Sequence, residues 1–221
     1  MTDSDEKLEK KEYREESHLE ISLEAPPQSA LGESTVGLGF MSSDEIMNAL
    51  AKAQVTEKFF DLLVKPTSFK EFLDGLMLPL VQALKCEAAS LLEWDKRNKL
   101  YFFRSVVGPA SEKVAQFQIP EGKGIVGRIG QTRKAEIVHR ASDEAQPTGH
   151  LSQIGASIGF TSNEILAVPV LIRGELYGVV EVINRTDGQV FRDEHLKLLC
   201  EFCAIMAKAL EVRFMLGRKA A

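Results

Sequence analysis

Apolar positions in this chain change their period several times, and each change marks an element. Ser42 and Glu45 have capping-box spacing, and Ile46, Leu50 and Ala53 follow at three- and four-residue intervals, so a helix is predicted from Ser42 toward Leu63, with Pro66 as its stop. Ser68 and Glu71 repeat that spacing. Phe69, Phe72, Leu73, Leu76, Met77, Leu80, Val81 and Leu84 then form the wide stripe of a second helix, in which Pro79 predicts a kink or a break. After Cys86 the period becomes that of strands. Ala88 to Trp94 and Leu100 to Val106 predict a hairpin around Asp95-Lys96-Arg97-Asn98, and Val114 to Ile119 a short strand ending at Pro120. Gly124 to Thr132 reads as a short helix with Ile125, Val126 and Ile129 inward, and Ala135 to His139 as a further strand. Residues 141–161, with Pro147 and several glycines, predict short helices and loops crossing one sheet face.

The most apolar stretch runs from Asn163 to Arg185. It predicts two adjacent antiparallel strands, Ile165 to Ile172 and Leu176 to Ile183, joined at Arg173-Gly174-Glu175. The first is apolar at nearly every position and is expected to be covered on both faces; the second carries one internal charge, Glu181. A last helix is predicted from Asp193 to Leu216 with two apolar stripes. Leu196, Leu199, Cys203, Met206 and Leu210 form one, and Leu198, Phe202, Ile205, Ala209 and Val212 the other. One stripe packs on the sheet. The second requires its own cover, from the first helix or from a partner subunit, because burying each large apolar side chain is worth about 1.5–3 kcal/mol.

Composition divides the chain. Its 221 residues, 44% hydrophobic, suit one globular domain with an appendage. Up to Glu20 the sequence is dense in Glu, Asp and Lys, and Pro26-Pro27, Gly32, Gly37 and Gly39 follow, so residues 1–40 are expected to form a disordered acidic tail, with Leu19, Ile21 and Leu23 as its only anchors for a partner. The expected plan is this tail, a connecting helix over 41–66, a domain over 57–214 and a short end over 215–221. A net charge of -5 without a Lys/Arg stripe argues against nucleic acid. No uncharged run approaches the roughly 18–20 residues of a membrane span, and the charged N-terminus is unlike a signal peptide, so a cytoplasmic protein without a membrane partner is expected. Three cysteines, Cys86, Cys200 and Cys203, suit a reducing compartment.

Few residues offer chemistry. Gly122-x-Gly124-x-x-Gly127 matches a dinucleotide fingerprint, yet Pro120-Glu121 precedes it where that motif needs the end of a parallel strand; it reads as a turn into a helix. Cys200-x-x-Cys203 lies on an apolar helix with no second Cys/His pair at ligand spacing and reads as packing. His18, His139, His150 and His195 are scattered. No catalytic set, metal site or cofactor is expected. Glu181 is the exception. A carboxylate in a buried strand needs a hydrogen-bond donor or a proton, unless its strand face is solvated or it pairs with a Lys or Arg.

The order of helix, hairpin, IPEGKGIVGRIGQTRKAEIV, variable connection, GFTSNEILAVPV, GELYGVVEVINR and long helix resembles a GAF domain, the small-molecule-sensing module of phosphodiesterases and bacterial signalling proteins, over about residues 57–214. The resemblance implies an α+β fold: a six-stranded antiparallel sheet with N- and C-terminal helices on one face and short helices roofing a pocket on the other. It implies pocket positions at Ser90, Ile125, Val126, Ile158, Ser162 and Glu181, the last matching a pocket position of cyclic-nucleotide-binding members. Those members follow Asn-Lys with Phe and, after three intervening residues, Asp-Glu, and close a Lys–Asp salt bridge. Here Asn184-Arg185 and Phe191 are followed at that offset by His195-Leu196, with Asp193-Glu194 two residues early, and Ile158 replaces a threonine. No cysteine lies between Glu87 and Leu199, which argues against bilin attachment and against free methionine sulfoxide reductase chemistry.

The reading that results is a non-catalytic sensory module. It binds a small ligand, a cyclic nucleotide or another purine-like metabolite, signals to a protein partner in trans, and forms a homodimer through its first and last helices. The alternatives are a ligand-free GAF-fold dimerisation or scaffold module and, third, an enzyme like the free methionine sulfoxide reductases.

Overall fold

A computed structural model describes residues 43–65, 67–109, 111–139 and 159–219. In chain order the described elements are α1 (Ser43–Val64), α2 (Phe69–Leu84), β1 (Cys86–Asp95), β2 (Leu100–Val107), α3 (Ser111–Val114), β3 (Gln118–Pro120), α4 (Gly124–Thr132), β4 (Glu136–His139), β5 (Glu164–Ile172), β6 (Glu175–Arg185) and α5 (Asp193–Lys219). The predicted tail over 1–40, Ser42 and the connection over 140–158, with Ile158, lie outside the described residues.

Helix α2 starts as its sequence dictates. Ser68 Oγ accepts the Glu71 N–H at 3.2 Å, and Glu71 Oε2 accepts the Ser68 N–H at 2.8 Å. The helix does not break at Pro79. A proline removes one intrahelical hydrogen bond, and buried side chains on both sides of it, from Phe72 to Leu84, hold the helix on the sheet. Lys85, in the left-handed region at φ 48°, ends it and turns the chain into β1.

The six strands pair antiparallel throughout in the order β3-β2-β1-β6-β5-β4. Strands β5 and β6 meet through the two-residue turn Arg173-Gly174, with both residues at positive φ, 53° and 83°. That is the primed-turn geometry that follows the twist of paired strands. In β2, Arg104 is an extra residue: Leu91 faces Ser105 while Leu92 faces Phe103. One expected strand is shorter than its pattern. Ser111–Val114 winds into one helical turn that buries Val114, and only Gln118–Pro120 pairs with β2, as a short edge strand closed by proline.

Two apolar layers enclose the sheet. On one face Val55 and Phe59 of α1, Phe72, Leu76 and Leu80 of α2, and Leu199, Phe202 and Met206 of α5 pack on Leu91, Leu166, Val168, Val180 and Val182. On the other, Ile125, Val126 and Ile129 of α4 pack with Leu92, Tyr101, Val138, Ile165, Ala167 and Val179. Strand β5 is therefore buried on both faces, as its unbroken apolar run predicts. The second stripe of α5 finds its cover inside the chain: Phe202 and Ala209 join the cluster that contains Val55 and Phe59. Phe202 is thus a core residue. Val212, the last member of that stripe, stays exposed, as do Met215 and Leu216 near the end of α5 and Ile46, Leu50, Phe60 and Val64 of α1.

Candidate ligand site

Side chains alternate along a strand, so Val179, Glu181 and Ile183 of β6 share the face that looks toward α4. Register places Ser90 of β1 beside Glu181 on one side and Ala167 of β5 on the other. Ile125 and Val126 belong to the apolar cluster that surrounds this row. Four of the six sequence-predicted site residues, Ser90, Ile125, Val126 and Glu181, therefore gather on one face. Ser162, half-buried, lies in the segment that leads into β5, and Ile158 is outside the described residues.

The glycine-rich approach to α4 has a steric cause. Gly122 and Gly124 have φ of 72° and 63°, and a Cβ on Gly127 would lie 2.6 Å from the Gly122 carbonyl carbon. The three glycines fold a tight turn against the helix that follows it, and the dinucleotide resemblance of their spacing ends there. The turn delivers Ile125 and Val126 to the sheet.

Glu181 is 1% exposed and Ser90 4%. Neither Glu181 Oε1 nor Ser90 Oγ has a hydrogen-bond partner among the described residues. Burial pushes the Glu181 carboxyl up to about 7 from its ordinary value of 4.5, and no charge contributes to the shift. A carboxylate here would be desolvated with no charge among the described residues to offset the cost, so the proton stays on until near neutrality. The solvated face and the Lys/Arg pairing are both ruled out for the described residues, and two partnerless polar atoms stand on neighbouring strands.

Asn184 carries a role that sequence reading missed. In the left-handed region at φ 51°, its Oδ1 accepts the N–H groups of Asn163 and Glu164 at 2.8 and 3.1 Å, while Nδ2 donates to Glu87 Oε2 at 2.7 Å and to the Thr161 carbonyl at 2.8 Å. It fixes the segment containing Ser162 to the end of β6. Its signal was an amide at the polar end of an apolar strand, where asparagine tolerates a positive φ. Glu164 extends the join, with Oε2 accepting the Phe191 N–H at 3.1 Å and Oε1 2.8 Å from His139 Nδ1. Arg185 donates from Nε to Asp187 Oδ1 at 2.9 Å, two residues away, and no ion pair to a carboxylate of α5 is made among the described residues.

The thiols do not converge. Cys86 lies at the start of β1, where burial raises it to about 12, and burial also raises Cys200 and, well above its ordinary value, Cys203. A buried protonated thiol is a poor nucleophile. No group of three or more metal-ligating side chains occurs among the described residues, and no described helix is long and apolar enough to cross a membrane.

Among solved structures, the GAF domain of a phosphoenolpyruvate-protein phosphotransferase from Coxiella burnetii matches with a TM-score of 0.64 at 17% identity, covering 77% of this chain and 99% of that one. The free methionine-R-sulfoxide reductase from Neisseria meningitidis, in complex with its substrate, matches at 0.61 and 19% identity over 82% of this chain and 97% of its own. By sequence, the chain is 33% identical over 92 residues to a cGMP-specific 3',5'-cyclic phosphodiesterase of Drosophila mojavensis, a match covering 39% of this chain and 8% of that protein. It is 26% identical over 97 residues to the probable 3',5'-cyclic phosphodiesterase pde-5 of Caenorhabditis elegans, with 43% and 13% covered. The match thus spans only a small part of those relatives. The family profile of the GAF domain matches residues 68–210, and the chain belongs to the GAF domain family.

Proposed function

We propose that this GAF domain is a non-catalytic sensor that takes a small donor-bearing molecule between α4 and the β1–β6 strands and passes its occupancy to a protein partner. The observation that carries the reading is the pair of buried, partnerless atoms Ser90 Oγ and Glu181 Oε1 on adjacent strands. Leaving such groups unpaired costs about 1–3 kcal/mol each, and a ligand that donates to Glu181 and bonds Ser90 recovers it. Apolar walls with a few convergent polar groups are what small-ligand sites usually present. The relatives named cGMP-specific phosphodiesterases make cGMP the first compound to test. Against cGMP in particular stands Arg185, whose partner is Asp187 instead of a carboxylate on the last helix.

The test is a thermal-shift screen with cyclic nucleotides, purines and amino acids, in which binding to the folded state raises the melting temperature with concentration. For a ligand so found, measured above pH 7 where Glu181 is ionised, Glu181→Gln should weaken binding roughly tenfold or more, because one charge-assisted hydrogen bond contributes about 1.5–3 kcal/mol and each 1.4 kcal/mol is a factor of ten. Unchanged affinity would remove Glu181 from the site. One observation favours the second reading, a scaffold without a ligand: Glu181 is only 1% exposed, so its neutral acid is already sheltered. No binding at millimolar concentration by any compound in the screen decides for the scaffold. On either reading the domain acts as a homodimer held by its first and last helices, whose exposed apolar side chains a second copy would cover.

A further inference from the structure

Other carboxylates of the sheet have donors. Glu87 accepts from Asn184, Glu93 from Arg104 and Tyr177, Asp95 from the Asn98 N–H, Glu136 from Arg128 and Glu164 from the Phe191 N–H. Glu181 Oε1, fully buried, has none among the described residues. Leu92, Ala167, Val179, Ile125 and Val126 surround it with apolar surface, and Ser90 is the polar neighbour. The charged and titratable groups of the elements packed around it are turned elsewhere. Arg128 of α4 donates to Glu136 of β4 at 2.9 Å, His139 of β4 lies 2.8 Å from Glu164 of β5, and Arg185 of β6 donates to Asp187. The Tyr101 hydroxyl of β2 lies against Gly130, and Lys123 and Arg133 at the two ends of α4 are exposed.

The charge of the ligand follows from what a carboxyl does in such a place and an amide does not. A neutral ligand needs only neutral partners, and glutamine would offer it a donor and an acceptor with no charge to bury. A carboxyl alone gives up a proton and stands as the counter-ion of a cation. Register sets Ser90 directly across from Glu181, with about 4.5–5.5 Å between Cβ atoms in such pairs, so both partnerless oxygens are within reach of N–H groups on one small head group. We propose that the site takes an organic cation with at least two N–H donors, an amidinium, guanidinium or primary ammonium group, held by Glu181 Oε1 and Ser90 Oγ. The exchange balances: the neutral acid and the free cation become a carboxylate–cation pair, and one proton leaves to solvent. The apolar walls strengthen that pair, because water does not compete for it. This rests on the sensor reading above and fixes the charge of its ligand.

Probe pairs of like shape and unlike charge test it on the full chain: benzamidine with benzamide, methylguanidine with methylurea, and benzylamine with benzyl alcohol. In calorimetry above pH 7, at least one cation should bind roughly tenfold or more above its neutral counterpart. At a pH one unit below the Glu181 value of about 7, its binding should release nearly one proton, read from the heats in buffers of different ionisation enthalpy. Its affinity should fall about tenfold per pH unit below that value and be level above it, since the proton competes with the cation for one carboxylate. Glu181→Gln should erase the preference for the cation and leave the neutral probe's affinity unchanged; the proton count is made on wild type and stands whether or not the variant folds. Neutral probes that bind as tightly as their cations, or a cation that binds without releasing a proton below pH 7, overturn the charge assignment and leave the sensor. So does a neutral or anionic compound from the thermal-shift screen that binds while every cation fails at millimolar concentration. A preference for the cation that survives in Glu181→Gln puts the cation elsewhere and also overturns the assignment. If neither the cations nor the screen gives a binder, the sensor reading falls and this inference with it.

Discussion

The same strands present two unlike faces. Toward α1, α2 and α5 the sheet offers Leu91, Leu166, Val168, Val180 and Val182 to a continuous apolar cluster. Two polar side chains that approach that side are paired: Ser105 Oγ donates to Asp74 Oδ1 at 2.7 Å, and Tyr177 Oη donates to Glu93 Oε2 at 2.9 Å, while the buried Thr67 hydroxyl, between α1 and α2, has no partner among the described residues. Toward α4 the apolar cluster is smaller, and Ser90 and Glu181 on the same face hold buried atoms without a partner among the described residues. Only a residue's parity along the strand separates the two environments. One face holds the fold; the other carries a cost that the fold does not need, as functional sites do.

The largest effect expected from this contrast is on the helix side. Phe72 is fully buried between α2 and the sheet. Phe72→Ala should lower unfolding stability by about 3–5 kcal/mol, read from denaturant titration, because the transfer loss and the cavity add. A cost below about 1 kcal/mol would mean that this face does not hold the fold.

Next comes the pH dependence of the α4 face. The ordinary Glu value is 4.5 and Glu181 is raised to about 7, so between those values the folded protein holds a proton that the unfolded chain has released. Stability from this group is therefore fully present below pH 4.5, falls as pH rises to about 7, and is level above that. The integrated loss is about 3 kcal/mol, at 1.36 kcal/mol per pKa unit. Glu181→Gln should remove that slope, so the difference between wild type and variant across pH 4.5 to 7 isolates it. A difference that does not vary with pH would place Glu181 in water.

A smaller loss is expected at Asn184, which ties the segment over 161–164 to β6. Asn184→Ala leaves the N–H groups of Asn163 and Glu164 without their acceptor and places alanine at a positive φ. About 2 kcal/mol is expected. Amide exchange at those two residues should accelerate more than exchange in β1; uniform acceleration would show a global effect instead of a local clamp.

Much of this was legible in the chain. Helix boundaries at α2 and α4, the β5–β6 turn and both apolar layers follow from capping spacing, glycine placement and period, all local signals. Glu181 stood out because a single charge in an apolar strand is a local contradiction. Asn184 did not, since its four hydrogen bonds reach residues 20 to 97 positions away and no local pattern encodes them. The cover of the second α5 stripe was left open between α1 and another subunit, because a stripe states that it needs burial without naming what buries it. Pro79 predicts a kink or a break, and α2 runs through it without a break, since packing on both sides outweighs one lost hydrogen bond. Val114 to Ile119 alternates like a strand, but one helical turn also buries Val114.

The smallest effect tests whether the two faces are the whole of the folded domain. Residues 1–40 carry too few large apolar side chains to offset the entropy of ordering them, about 1–2 kcal/mol per residue for the backbone alone. A chain beginning at Met41 should therefore unfold cooperatively within a few degrees of the full protein in calorimetry. Leu19, Ile21 and Leu23, the expected anchors of the tail, are the first side chains to test against that outcome. If the shortened chain melts well below the full one, those three side chains are the first candidates for the stabilisation. The same loss should then appear in a full chain with Leu19, Ile21 and Leu23 all replaced by Ser. If that chain melts like wild type, the stabilisation comes from charge along the tail instead, and raising salt should reduce it.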